Sequence, residues 1–228
     1  MGVGAQRCGT TWWYDLVASH PGIHRGAAKE LHFFHRYSQR RFTADDADLY
    51  ARYFPRPADT RAGEWSPGYL AHFWAPPCLR QAAPDTRVLV LLRDPVERYV
   101  SGVGLQGETR RSGAASASAA FRLGLYGSQL EHLFRYFPPE QVLVLQFEHC
   151  VKDPAAEIAR TYGFLGLDAA YTPADLSRPR NAARVAKPTT DDDHRQWLVQ
   201  SYEPEVARVA ELVPSLDLAL WANFARLA

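Results

Sequence analysis

The segment Gly4-Ala5-Gln6-Arg7-Cys8-Gly9-Thr10-Thr11 sets two glycines five residues apart, directly ahead of a stretch of helical character. That is the spacing of a phosphate-cradling loop, in which backbone N–H groups and the positive end of the following helix face an anion. A nucleoside triphosphatase places Lys after the second glycine to reach the β- and γ-phosphates; here the residue is Thr10. The loop therefore suits a phosphate but not a Mg-nucleoside triphosphate. Arg7 supplies a cation from inside it, and the hydroxyls of Thr10 and Thr11 can donate to phosphate oxygens. A second segment, Arg93-Asp94-Pro95-Val96-Glu97-Arg98-Tyr99-Val100-Ser101, follows the apolar run Val88 to Leu92. The carboxyl end of a buried strand is where α/β sheets place their ligands. Arg93 at that edge and Ser101 two helical turns later would clamp a second phosphate.

In this order the two segments resemble the sulfotransferases that use 3′-phosphoadenosine 5′-phosphosulfate (PAPS), whose loop reads like QRSGTT and whose later motif reads RDPxxRxxS. The resemblance implies that Arg7, Cys8, Gly9, Thr10 and Thr11 bind the 5′-phosphosulfate and that Arg93 and Ser101 bind the 3′-phosphate. PAPS would be the donor, PAP the product, and no metal is required. Cys8 stands where Ser is usual and gives up one side-chain hydrogen bond. Lys29-Glu30-Leu31-His32-Phe33-Phe34 is similar to the KExHFF segment of the heparan sulfate O-sulfotransferases and their bacterial relatives. By that similarity Glu30 is the base that accepts the proton of the attacking hydroxyl, with Arg7 acting on the leaving group and His32 serving orientation or proton exchange. His35 stands where that group often has Asp. Glu64-Trp65-Ser66-Pro67-Gly68-Tyr69 takes the place of its EKTPxYF segment, with Trp65 at the position of a substrate-site Lys. A Trp there removes a cation and either adds a flat apolar surface, which disfavours a heavily sulfated acceptor, or fills core. Phe137 to Gln141, the VLVLQFE run and Lys152-Asp153-Pro154 match the family's later strand and turn. The Arg-rich loop Arg178 to Lys187, with Arg184 as a phosphate contact, takes the place of its nucleotide-covering segment.

These residues need a scaffold, and the sequence outlines one. Met1 to Ala5 leads as a strand into the loop and a helix that His20-Pro21-Gly22 closes. Val88 to Leu92 and Val142 to Phe147 are unbroken apolar runs, as expected of parallel strands buried on both faces. Pro95 to Val103 reads as a helix with Asp94 as N-cap and Pro at its first position. Phe121 to Phe137 reads as a longer amphipathic helix, Gly113 to Ala120 as a mobile surface loop, and Asp191 to Leu212 as a helix broken near Pro204. Leu216 to Leu227 carries Trp221 and Phe224 for packing. The expected fold is α/β: a P-loop-like three-layer α/β/α domain with a central, roughly five-stranded parallel sheet, in one domain over residues 1–228.

Composition narrows the partners. Twenty-six Lys plus Arg against 25 Asp plus Glu leave a net charge of +1, so a general polyanion binder is excluded and any anion must be met locally. Only Lys29, Lys152 and Lys187 are lysines, so most positive charge sits on guanidinium groups, which bind oxyanions bidentately. The three cysteines, Cys8, Cys78 and Cys150, form neither a disulfide framework nor a CxxC pattern, which points to a reducing compartment and a cytoplasmic protein. No run approaches the ~20 apolar residues of a membrane span. The expected partner is a small-molecule or carbohydrate-like hydroxyl acceptor, with no nucleic acid and no membrane. Two other readings remain open: a P-loop kinase of a small hydroxyl compound, against which Thr10 weighs, and a nucleotide-binding module without transfer.

Overall fold

The computed structural model describes residues 1–26, 28–108, 114–176 and 190–228. Its elements in chain order are β1 (Gly2–Gly4), α1 (Thr10–Ala18), α2 (Ala44–Ala51), α3 (Ala75–Ala82), β2 (Val88–Leu92), α4 (Pro95–Glu108), α5 (Ala114–Arg122), α6 (Tyr126–Phe134), β3 (Val142–Gln146), α7 (Phe147–Lys152), α8 (Pro154–Leu165) and α9 (Asp192–Leu212). The strands are parallel in the order β1-β2-β3, with Val88 opposite Val142 and Leu92 opposite Gln146. Every residue of β2 and β3 is buried, as their unbroken apolar runs require of strands covered on both faces.

Five strands were expected, and the described residues form three. Beyond β1 the sheet continues only as a single parallel bridge between Gly2 and Trp65. Gly2 donates to the Glu64 carbonyl at 2.9 Å and Ser66 donates back to Gly2 at 3.1 Å. The Trp65 indole then lies over Gly2 and donates from Nε1 to the Gly4 carbonyl at 3.1 Å. An edge whose acceptor is taken by a side chain has no ladder left to extend, and the chain turns away at Tyr69–Ala71.

Three helix expectations also change. Gly113 to Ala120 was expected as a surface loop, but from Ala114 onward it is helix α5: alanine has the highest helix propensity, and the buried Arg98 donates from Nη2 to the carbonyl of Ala120 near the helix end. The long helix expected from Phe121 is interrupted, because at Gly124 the backbone runs against the Tyr202 ring, where any Cβ would lie 2.8 Å from it. Helix α9, by contrast, runs through Pro204 without a break. Its packing on α6 offsets the lost backbone bond: Glu205 accepts from Ser128 N and Oγ, both at 2.7 Å. The helix expected after Asp94 is present, and Asp94 Oδ1 caps it by accepting from Val96 N at 2.9 Å and Glu97 N at 3.3 Å. Arg184 and the rest of the Arg178 to Lys187 loop lie outside the described residues.

The α6–α9 contact generates a stability prediction. A Cβ at Gly127 would fall 2.8 Å from both the Glu205 carbonyl oxygen and the Arg208 Cβ. In an open helix Gly→Ala stabilises by about 0.5–1 kcal/mol. Here Gly127→Ala is expected to destabilise by about 1–3 kcal/mol through overpacking, read as a lower urea midpoint at unchanged m-value.

Candidate active site

The loop between β1 and α1 turns through two residues of positive φ, Arg7 at 67° and Gly9 at 84°. Gly9 is required twice over, since a Cβ there would also meet the Phe147 ring at 2.7 Å. No side chain caps the first turn of α1, so its leading N–H groups remain directed at the loop mouth. Arg7 crosses to helix α4 and donates to Ser101 Oγ from Nε at 3.2 Å and from Nη2 at 3.0 Å. Two residues 94 apart in sequence, expected to serve one donor molecule, thus meet directly. Arg93 arrives from the end of β2 with its guanidinium 5.2 Å above the Phe147 ring, and its Nη2 lies 3.8 Å from Glu97 Oε2. Phe147 is therefore a shared floor beneath Gly9 and Arg93. Thr10 is buried and Thr11 half-buried at the start of α1.

Cys8 behaves differently from a Ser stand-in facing the ligand. Its side chain is fully buried, 3.4 Å from the Tyr126 hydroxyl, and burial pushes the thiol up to about 11. Its part in an anion cradle is thus confined to the backbone, and it is a protonated core residue at neutral pH.

The second half of the site is a cluster on the Lys29 to His35 segment. Glu30 Oε1 accepts from Lys29 Nζ at 2.5 Å, and Glu30 Oε2 lies 3.3 Å from His32 Nε2. His32, at φ 50°, stacks on His35 with ring centroids 4.6 Å apart. Burial, then the neighbouring His72 and His32, hold His35 down at about 4, so it is neutral at physiological pH. The two halves adjoin at Gly68: a Cβ there would meet His35 Nε2 at 3.3 Å and Gln6 Nε2, from the loop, at 3.7 Å.

The sequence reading missed what holds this segment in place. Glu64 is buried, and all four of its close partners are donors: Tyr50 and Tyr69 hydroxyls to Oε1, both at 3.0 Å, and Leu31 N, at 2.9 Å, with Ser66 Oγ to Oε2. Ser66 Oγ also accepts from His32 N at 3.0 Å, and Trp65 N donates to the Lys29 carbonyl at 2.7 Å. The signal is present in Glu64-x-Ser66, a carboxylate two residues from a hydroxyl. Trp65 is only 1% exposed, so of its two readings it is the core-filling one that the structure shows. The ring is a wedge behind β1, its N–H satisfied as a buried indole requires.

A second missed group secures Arg93-Asp94. Glu148 Oε1 accepts from Asp94 N at 3.1 Å and Oε2 from Trp221 Nε1 at 3.0 Å. Burial raises the pKa of both Asp94 and Glu148. Among the described residues no group of three or more His, Cys, Asp or Glu side chains is arranged to hold a metal, and no helix is long and apolar enough to cross a membrane. A cavity of about 370 Å³ lies at the opposite end of β2, beside Arg87 and Leu89, and none of the residues above lines it except Glu64 and Trp65.

The sequence matches the model of the sulfotransferase domain over residues 2–180. The chain belongs to that family. It is 32% identical to human heparan sulfate glucosamine 3-O-sulfotransferase 6 over 186 residues, 75% of this chain and 52% of the relative. It is 30% identical to human heparan sulfate glucosamine 3-O-sulfotransferase 3B1 over 181 residues, 72% of this chain and 45% of the relative. The chain thus spans about half the length of these curated relatives. A crystal structure of a sulfotransferase from Alicyclobacillus acidocaldarius superposes with a TM-score of 0.79 at 27% identity, covering 96% of each chain.

Glu64 provides the test of the site's construction. Glu64→Gln keeps the volume but turns an amide NH₂ toward groups that are themselves donors. Stability is expected to fall by about 1–3 kcal/mol, the cost of leaving buried groups unsatisfied. The Lys29 to His32 backbone would lose its anchor, so any turnover that depends on Glu30 should fall as well. Chemical denaturation together with steady-state kinetics checks both.

Proposed function

We propose that this protein transfers a sulfuryl group from PAPS directly to a hydroxyl of a carbohydrate-like or small-molecule acceptor. The observation that carries the reading is the meeting of Arg7 with Ser101 beside an uncapped helix start, with the Glu30 cluster adjoining through Gln6 and His35. Membership of the sulfotransferase family supports sulfuryl transfer and implies PAPS as donor and PAP as product. The donor brings the sulfuryl group on a phosphate leaving group; the rest falls to the chain. Arg7 and the loop N–H groups are placed to stabilise charge that develops on that phosphate, and they are preorganised by the loop's positive-φ turn. Thr10 and Thr11 would add hydroxyl donors, and Arg93 and Ser101 would hold the 3′-phosphate.

On the acceptor side Glu30 takes the hydroxyl proton. Lys29 and His32 hold its two oxygens in place, so that the base is oriented before the acceptor arrives. The names of the similar human enzymes specify a glucosamine of heparan sulfate as their acceptor, which favours a sugar hydroxyl here. The buried Trp65 leaves a site without the lysine common in the group the sequence resembles, so a less anionic sugar than heparan sulfate fits best. A kinase reading is weaker: Thr10, at the place of the NTPase lysine, is buried and bears no charge. The three buried, unpaired cysteines suit a reducing, cytoplasmic setting.

Two measurements test this reading. In calorimetry, adenosine 3′,5′-bisphosphate is expected to bind more tightly than AMP, and Arg93→Ala should abolish most of that preference; equal binding by the wild type would remove the second phosphate from the site. With sulfur-labelled PAPS and pools of glycans and small alcohols, Glu30→Gln should lower kcat on the order of 10² to 10⁴-fold, the usual contribution of a positioned base, at nearly unchanged bisphosphate affinity. A kcat within about twofold of wild type would refute Glu30 as that base.

A further inference from the structure

Arg93 has an anion competing for it in the first turn of the helix that follows it. Glu97 lies one turn further on, and its Oε2 is 3.8 Å from Arg93 Nη2. A carboxylate at that position would draw the guanidinium away from a phosphate. Two residues beyond the region that matches the family model oppose this. Arg195, on α9, donates from Nη1 to Glu97 Oε1 at 2.9 Å, a much closer contact than that of Arg93. The same Nη1 donates to Asn223 Oδ1 at 3.0 Å. Asn223 in turn donates to Asp94 Oδ2 from its backbone N at 3.1 Å and from Nδ2 at 2.8 Å. The chain Arg93, Glu97, Arg195, Asn223, Asp94 thus closes into a ring, because Asp94 is the neighbour of Arg93 and the cap of α4.

We propose that Arg195 is a positioning residue for Arg93: it occupies Glu97, is itself anchored through Asn223 to Asp94, and so leaves the Arg93 guanidinium available to the nucleotide's second phosphate. The carboxyl-terminal part of the chain then sets how strongly the site discriminates a bisphosphate from a monophosphate. This rests on the reading of Arg93 as a phosphate contact. Arg195 and Glu97 are partly exposed, with about a third and a quarter of their side chains accessible, so substitution there leaves the core intact.

The test compares adenosine 3′,5′-bisphosphate and AMP by calorimetry in the wild type, in Arg195→Met and in the double variant Arg195→Met/Glu97→Gln, with melting temperatures measured alongside. Arg195→Met is expected to weaken the bisphosphate about three- to fivefold, the upper end of the scale of an exposed charge pair, and to leave AMP unchanged. Adding Glu97→Gln removes the competitor and should restore bisphosphate affinity to within about twofold. If wild type binds both nucleotides equally, the donor-site reading itself fails. If wild type prefers the bisphosphate and Arg195→Met keeps that preference, or loses it without restoration by Glu97→Gln, the positioning role is overturned. A role in folding alone would lower the melting temperature and weaken both nucleotides together.

Discussion

Both the sheet edge and the Lys29 to His35 cluster rest on Glu64, the first on its carbonyl and the second on its carboxylate. A carboxylate taken out of water is tolerated only when its lone pairs are filled, and here two tyrosine hydroxyls, a serine hydroxyl and a backbone N–H fill them. The same residue's carbonyl accepts from Gly2, so the carboxylate and the edge of β1 share one anchor. From that point the structure is determined outward in two directions. Toward the sheet, Trp65 wedges against Gly2 and bonds the Gly4 carbonyl, which sets where the loop between β1 and α1 begins. Toward the surface, Leu31 and His32 are pinned by their backbone N–H groups, which leaves the Glu30 side chain to Lys29 and His32.

On the other side of the loop the organising element is Phe147, the first residue after β3. Gly9 can approach it only because it lacks a Cβ, and Arg93 lies over its face, where the negative quadrupole of the ring offers a guanidinium a stabilising surface without neutralising it. Below it, Asp94 is buried and Glu148 half-buried, and both are hydrogen-bonded, Asp94 to the α4 backbone and Asn223, Glu148 to Asp94 N and Trp221. The end of β2, the start of α4 and the carboxyl-terminal segment are consequently one unit. Gln146 extends the same connection, exchanging a pair of hydrogen bonds with the backbone of Asp217.

The strongest local signals read correctly because their physics is local. A glycine pair before a helix, an Asp-Pro helix start and an unbroken apolar strand each depend on φ/ψ, capping or burial within a few residues, and β2, β3, α1 and the cap of α4 all lie where the residues alone placed them. Expectations that depended on distant partners went wrong. The alanine-rich stretch before Phe121 is poor in apolar bulk, yet it forms α5, whose end the buried Arg98 supports. Pro204 lacks a donor, yet α9 continues, because α6 packs against it.

By itself, then, the sequence determined the α/β class and marked the glycine-flanked loop, the Arg93 to Ser101 motif and the Glu30 segment, since each is written in neighbouring residues whose types limit the backbone and the chemistry. Only the tertiary structure decided that Arg7 meets Ser101, that Cys8 and Trp65 face the core, that Glu64 holds the Lys29 to His32 segment, and that Arg195 and Asn223 link Glu97 to Asp94. Each of these joins residues far apart in the chain or depends on which way a side chain points. Such pairings follow from how buried polar groups across the whole fold find partners, and no window along the sequence contains both ends of the bond.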